Sequence, residues 1–230
     1  MRQVRFLPGA LIKMYNLHTH SILSDGGLLA SEVAMRYLAL GYKTIAITDH
    51  ADYSNIDIII KSVLEFTRNW PKNFPINVLS GVELTHLPPK QFKPLSEYAR
   101  SKGIKVIVAH GETVMEPVAI GTNRAALESD IDILAHPGLI TDEEVKLAAL
   151  KGIFLEITSR SGHNRTNGHV CNKALSLGAK LILNTDSHEP KDIVTPKELE
   201  QVGLDAGLNK ERVAKVYQDL EIFLNKKEGE

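Results

Sequence analysis

Cys171 is the only cysteine among the 230 residues. No disulfide can form within the chain, so a small oxidised scaffold is excluded, and a lone thiol fits a reducing compartment. Long hydrophobic runs are absent as well: no stretch approaches the about 18 apolar residues that a membrane span needs. Charge of one sign is also missing. Lys plus Arg (27) nearly balance Asp plus Glu (28), for a net charge of −1. Nothing supplies the basic stripe that a long nucleic acid or an anionic membrane would require. No internal repeat or low-complexity tract occurs, which sets aside solenoids and disordered arrays. Residues 1–13 carry no signal-peptide pattern, because their apolar patch from Leu7 to Ile12 is broken by Pro8 and Gly9. A cytoplasmic location is expected, with residues 1–13 as an extension ahead of the first strong strand.

What is present is an alternation. Apolar residues make up 43% of the chain, enough for one large α/β domain over residues 14–224. Seven runs have strand length: Tyr15–His18, Thr44–Thr48, Val78–Leu84, Lys105–Ala109, Ile131–Ala135, Ile153–Ile157 and Leu181–Asn184. Helical patterns lie between them. Ala30–Leu40 ends before Gly41. Thr141-Asp142-Glu143-Glu144 opens Val145–Leu150 with a capping signal, and Gly152 closes it. Asn172–Leu177 ends at Gly178. Pro196–Gly207 and Lys210–Leu224 read as closing helices, and the polar residues 225–230 are expected to fray. Strands alternating with helices imply a parallel sheet. The spacing alone suits a closed barrel or an open doubly wound sheet equally.

Metal-ligand residue types cluster at the strand ends. His18 and His20 end the first strand, with Asp25 in the loop beyond. His50 follows the second, Glu83 ends the third, His110 follows the fourth and His136 the fifth. Asp186 and His188 follow the seventh. Carboxyl ends of parallel strands share one face, where active sites gather. Histidines two apart on an extended segment point to the same side, so His18-Thr19-His20 can grip one ion, and Asp186-Ser187-His188 repeats the spacing. Glu83 can offer one oxygen to each of two ions. Imidazole with carboxylate suits Zn²⁺, Mn²⁺ or Fe²⁺ better than Ca²⁺. Asp49 reads as support for the loop or a neighbouring histidine. Glu112, after His110-Gly111, reads as the start of a helix, His86 and Trp70 as loop or packing residues, and Cys171 as packed core.

At these residues the chain resembles the PHP family, named for polymerase and histidinol phosphatase. His18-Thr19-His20-Ser21-Ile22-Leu23-Ser24-Asp25-Gly26 matches its opening HxHxxxSDG motif. Thr48-Asp49-His50, Gly81-Val82-Glu83, Ala135-His136-Pro137 and Asp186-Ser187-His188 look like the later ones. The resemblance implies a distorted (β/α)7 TIM-like barrel with two or three divalent metal ions. One ion would sit on His18, His20, Glu83 and Asp186, a second on Glu83, His110 and His136, and a third on Asp25, His50 and His188. It also implies a free-standing phosphoesterase, with Glu83 and Asp186 in catalytic positions. A hydroxide activated between ions bridged by Glu83 is the expected nucleophile.

The sixth strand offers no ligand by this reading, but its loop, Thr158 to Arg165, is rich in hydrogen-bond donors. Arg160 is a candidate catalytic residue and the candidate phosphate clamp, because a planar guanidinium can hold two phosphoryl oxygens. His163 and Arg165 are further candidates for contacting substrate. A small phosphorylated substrate is expected, without a membrane or a long nucleic acid as partner. The alternatives are a nuclease or nucleotide phosphoesterase of the same chemistry, an amidohydrolase-type C–N hydrolase, and a non-catalytic binding barrel. The amidohydrolase resemblance would want a lysine where His110 stands.

Overall fold

The computed structural model describes residues 14–229. The expected extension, residues 1–13, lies outside the described residues, as does Glu230. Eight strands form: β1 (Tyr15–Asn16), β2 (Thr44–Ile47), β3 (His50–Ala51), β4 (Asn77–Leu84), β5 (Val106–His110), β6 (Ile133–Ala135), β7 (Phe154–Thr158) and β8 (Lys180–Asn184). β3 continues β2. Thr44 to Ile47 pair with Asn77 to Ser80, and His50 and Ala51 then pair with Glu83 and Leu84 on the same neighbour. Counted as one, they leave seven staves in the order β1-β2-β4-β5-β6-β7-β8, every pairing parallel. This is the nearly closed (β/α)7 barrel, and it displaces the open-sheet alternative.

Closure between β8 and β1 combines side-chain bonds with a single parallel bridge, Thr19 to Ser187. Asn16 Oδ1 accepts from Thr185 N at 2.7 Å, and Asn184 Oδ1 accepts from Leu17 N at 2.8 Å. Further along the seam, Asp186 N donates to His18 O and His20 N to Ser187 O. Both asparagines are wholly buried, so each satisfies a backbone amide that would otherwise be left without a partner. β1 is two residues long where the apolar pattern suggested four, because only Tyr15 and Asn16 pair with β2.

The helices are α1 (Ala30–Ala39), α2 (Ile56–Asn69), α3 (Phe92–Ser101), α4 (Thr122–Leu127), α5 (Asp142–Lys151), α6 (Asn167–Leu177), α7 (Pro196–Asp205) and α8 (Lys210–Gly229). α5 begins as its sequence dictates. Thr141 Oγ1 accepts from Glu144 N, the Glu144 carboxylate accepts from Thr141 N, and Gly152 turns the chain out at φ 70°. Such a cap is worth about 1 kcal/mol. α6 starts at Asn167, five residues ahead of the expected 172, and takes in His169. α8 stays helical through residues 225–229, which the polar sequence had marked for fraying.

The staves bury both faces. Ile45, Ala46, Ile47, Val106 to Ala109, Ile133, Leu134 and Leu155 are wholly inaccessible. Full burial of each Val-, Leu- or Ile-sized side chain contributes roughly 1.5–3 kcal/mol. That packed wall fixes the carboxyl ends of the strands, so polar residues there are held on a rigid frame.

Candidate metal centre at the carboxyl end of the barrel

All nine residues expected as ligands come to this one end. His18 Nε2 lies 3.4 Å from Glu83 Oε2 and 3.6 Å from Asp186 Oδ1. His20 Nε2 lies 3.2 Å from Asp186 Oδ1 and 3.6 Å from Glu83 Oε2. Asp25 Oδ1 is 3.3 Å from His188 Nε2 and 3.5 Å from His50 Nε2. His136 Nε2 reaches Asp186 Oδ2 at 3.6 Å and Glu83 Oε1 at 3.8 Å. Three resulting sets could each hold a cation: His18, His20 and Asp186; His20, Asp25, His50 and His188; and His18, His136 and Glu156. The first two overlap two of the expected sets, without Glu83 in the first and with His20 added to the second. His110, expected beside Glu83 and His136, has its Nε2 3.1 Å from Glu116 Oε2 and groups with His86.

The local backbone explains the placement. Asp49, fully buried, accepts from Ser21 N at 2.7 Å, from Ser21 Oγ at 2.8 Å and from Ser24 Oγ at 2.8 Å. It therefore ties down the loop that carries Asp25, and of its two expected roles the loop is the one seen. Gly26 has no alternative in that loop: a Cβ there would sit 2.7 Å from the carbonyl of His20. Among the described residues, three other than glycine have positive φ: His86 at 51°, His136 at 29° and Asp186 at 51°. Such backbone is costly by roughly 1–3 kcal/mol and concentrates at functional sites.

Unsatisfied buried polar atoms concentrate in one place. His18 Nε2, both ring nitrogens of His20, both oxygens of Glu83 and His136 Nδ1 are buried without a hydrogen-bond partner among the described residues. Elsewhere among the described residues, Thr122 Oγ1 and Tyr217 Oη share that condition. Each unsatisfied buried group costs about 1–3 kcal/mol, and a cluster of them made only of ligand-type atoms fits divalent cations.

The electrostatics are strongly coupled. Burial would lower the pKa of His18, but Glu156, Glu83 and Asp186 together hold it well above the ordinary value. Burial, followed by His50 and His188, pushes His20 well down, and burial with His110 does the same for His136. Burial works against protonation of His50 too, yet the Glu83 carboxylate beside it raises it to about 9. Burial lifts Asp186 to about 6.

The sequence reading misses three residues here. Glu156 lies on β7, the strand to which no ligand was assigned, yet it is wholly buried and meets His18 Nδ1 at 2.8 Å. The signal was a carboxylate inside the apolar run Phe154–Thr158. Glu116 has no sequence signal, sitting in the loop after β5. His86, read as a loop histidine, has its Nε2 3.0 Å from Glu116 Oε2 and lines the cavity. Glu112 starts no helix. It bridges to Asn123 through its own amide and carboxylate.

A cavity of about 440 Å³ opens over the centre, with Arg160, His163, Asp52 and Asn55 among its walls. Arg160 Nη1 is bonded to Asp192 Oδ2 at 2.8 Å, so the expected clamp already has one carboxylate partner. His163 is buried, with Nδ1 2.8 Å from Thr113 Oγ1. Arg165 is exposed and is not part of the cavity wall.

No family model matches the chain. It is 45% identical over 203 residues to the uncharacterized protein MJ1295 of Methanocaldococcus jannaschii, covering 86% of this chain and 92% of that protein. The chain belongs to the same family. It is also 24% identical over 193 residues to the DNA polymerase/3'-5' exonuclease PolX of Bacillus subtilis, but spans only 34% of that protein. Among solved structures, a chain in archaeal ribonuclease P with mature tRNA superposes with a TM-score of 0.68 at 18% identity, covering 92% of this chain and 91% of that one. Histidinol phosphate phosphatase from Lactococcus lactis, complexed with zinc, L-histidinol and phosphate, gives 0.61 at 16%, covering 86% and 95%. These two likenesses carry the barrel fold alone. No helix among the described residues is long and apolar enough to cross a membrane.

Proposed function

We propose that the chain is a PHP-type metal-dependent hydrolase of small phosphate monoesters. The carrying observation is the cluster of buried, unpartnered ligand atoms on His18, His20, Glu83 and His136 at the carboxyl end of the staves. A binding-only barrel has no use for it, since hydrogen-bonded or apolar residues would fill the same space at lower cost. The ordered PHP-like motifs and the partial likeness to PolX point the same way.

Divalent ions on these sets would supply Lewis-acid charge for the phosphoryl oxygens and an acidified water as nucleophile. The chain's own groups do the positioning. Glu83 stands between His18, His20, His50 and His136, with neither oxygen hydrogen-bonded, and can face two sets at once. Glu156 holds His18 by Nδ1, which leaves Nε2 turned toward Glu83 and Asp186. Arg160 stands in the cavity wall with Nη1 engaged, and its remaining donors suit a phosphoryl group. A cavity of about 440 Å³ suits a small ester, and the net charge of −1 offers little to a long polyanion.

The likeness to PolX favours a second reading, hydrolysis of a nucleotide phosphodiester at a chain end. One panel separates the two. Phosphate or nucleotide release is measured from sugar, amino-alcohol and nucleotide monophosphates and from oligonucleotides, with protein stripped by chelation and then given Mn²⁺, Zn²⁺ or Fe²⁺. Metal-restored release from small monoesters is expected. Efficient cleavage of oligonucleotides without release from small esters would select the second reading. Full turnover by verified metal-free protein would end both.

A further inference from the structure

Tyr37 comes from α1, away from the strands and loops that carry the candidate ligands, yet it reaches the base of the centre. Its side chain is wholly buried and packs edge-on against Tyr42, with ring centroids 4.8 Å apart. Its Oη meets three polar side chains: Thr185 Oγ1, Ser187 Oγ at 3.0 Å and Asn16 Nδ2 at 3.2 Å. A phenol has one proton to donate and two lone pairs to offer. Asn16 Nδ2 can only donate, so the two hydroxyls take the other lone pair and the proton between them, and the oxygen is saturated.

Those two hydroxyls flank Asp186. That residue has left-handed backbone, at φ 51°, which even aspartate adopts sparingly and which its surroundings must hold in place. Tyr37 fixes the side chain before it and the side chain after it. Thr185 N donates to Asn16 Oδ1 at 2.7 Å, and Asp186 N donates to His18 O at 3.1 Å. Asn16 Nδ2 donates to the same His18 carbonyl, also at 3.1 Å. Tyr37 and Asn16 therefore join the backbone of His18 to both neighbours of Asp186. The Asp186 carboxylate is left facing the cavity, with its oxygens 3.6 Å from His18, 3.2 Å from His20 and 3.6 Å from His136.

We propose that Tyr37 is a positioning residue for the metal centre. Its phenol clamps Thr185 and Ser187 and so fixes the aim of the Asp186 carboxylate, a role that rests on reading His18, His20 and Asp186 as a metal site. Without the hydroxyl, three buried side chains, Asn16, Thr185 and Ser187, would each lose a partner, and the segment could relax away from its left-handed turn. Outer contacts of this kind orient a ligand and tune its grip on an ion.

The test compares two phenols. Tyr37→Phe removes the clamp. Tyr42→Phe deletes a likewise buried hydroxyl from the same aromatic pair, but one that donates to Val194 O at 3.0 Å, away from the Asp186 segment. Full-length proteins are titrated with Zn²⁺ by calorimetry and loaded with Co²⁺ for absorption spectra, and circular dichroism checks each fold. Tyr37→Phe is expected to bind zinc about 10–100-fold more weakly and to shift the cobalt bands, while Tyr42→Phe matches wild type in both. Ser187→Ala keeps the phenol but removes one clamped hydroxyl. It is expected to shift the bands in the same direction, and it decides the matter if Tyr37→Phe does not fold. Wild-type affinity and spectrum in a folded Tyr37→Phe, or failing that in Ser187→Ala, would overturn the role while leaving the metal centre intact. Equal losses in Tyr37→Phe and Tyr42→Phe would overturn it too, reducing the phenol to packing. A wild type that binds no zinc would overturn the metal centre itself, and this role with it.

Discussion

Glu156 Oε1 lies 2.8 Å from His18 Nδ1, and neither side chain has any exposed surface. The same oxygen accepts from Asn184 Nδ2 at 2.9 Å, while Oε2 accepts from His136 N at 3.1 Å. One carboxylate thus sets the tautomer of a candidate ligand and the backbone of another. Glu156→Gln removes the charge and replaces one of the two accepting oxygens with an NH2 donor. Zinc affinity measured by competition with a chromophoric chelator should fall by about 10–100-fold in a folded protein. Unchanged affinity would reduce Glu156 to a packing role.

Arg160 faces two demands, since Asp192 holds its Nη1 and the same Asp192 oxygen accepts from His188 N and Glu189 N. If Arg160 also contacts substrate, Arg160→Lys should lower kcat/KM by about tenfold or more, equivalent to about 1.4 kcal/mol of transition-state contact. Metal content should stay unchanged. Wild-type efficiency in both Arg160→Lys and Arg160→Ala would make this arginine a strut between the loops after β7 and β8.

Cations that bind only the folded chain must stabilise it. At a free Zn²⁺ concentration about 100 times the dissociation constant, the gain is about 2.7 kcal/mol. For a domain of this size that corresponds to roughly 5–10 °C in Tm. Differential scanning fluorimetry of chelated protein titrated with Zn²⁺ should show a concentration-dependent rise, much reduced in Glu83→Gln. A flat response in wild type would argue against the whole centre.

Alkaline pH probes the other buried polar groups. Burial raises the pKa of Tyr37, Tyr42 and Tyr217 above the ordinary phenol value. The unfolded chain therefore releases these protons first. Their contribution to stability is complete below about pH 10 and is lost as pH rises further. Of the six tyrosines, phenolate absorbance at 295 nm should develop in two stages, the second coinciding with loss of near-UV circular dichroism. A single reversible wave with the native spectrum retained would contradict this.

Strand count and the gathering of His18, His20, Asp25, His50, Glu83, His110, His136, Asp186 and His188 could be read from the chain, because ligand types recur where apolar runs end; the choice of barrel over open sheet came from the resemblance to the PHP family. What escaped has physical reasons. Apolar period marks a strand whether or not its backbone is paired, so Tyr15–His18 looked longer than β1 and the break between β2 and β3 was invisible. Glu156 hid in mid-strand, where the pattern reads burial rather than bonding. Glu116 and His86 come together only through loop geometry, at 30 residues' separation. Arg160 and Arg165 look alike in sequence, yet the turn into residues 163–166 leaves only Arg160 in the cavity wall.

The seam between β1 and β8 is the barrel's thinnest joint. Asparagine side chains close it at its lower end, and two backbone bonds close it above. His18 and His20 stand on one lip, and Asp186 and His188 on the other. A cation gripped by residues from both lips would act as a clasp, so occupancy would set how firmly the cylinder stays shut. Amides of Leu17, His20, Thr185 and Asp186 should then be the first in the wall to exchange hydrogen when metal is withdrawn. Chemistry and architecture would share the same few side chains, and evolution could not relax one without unfastening the other.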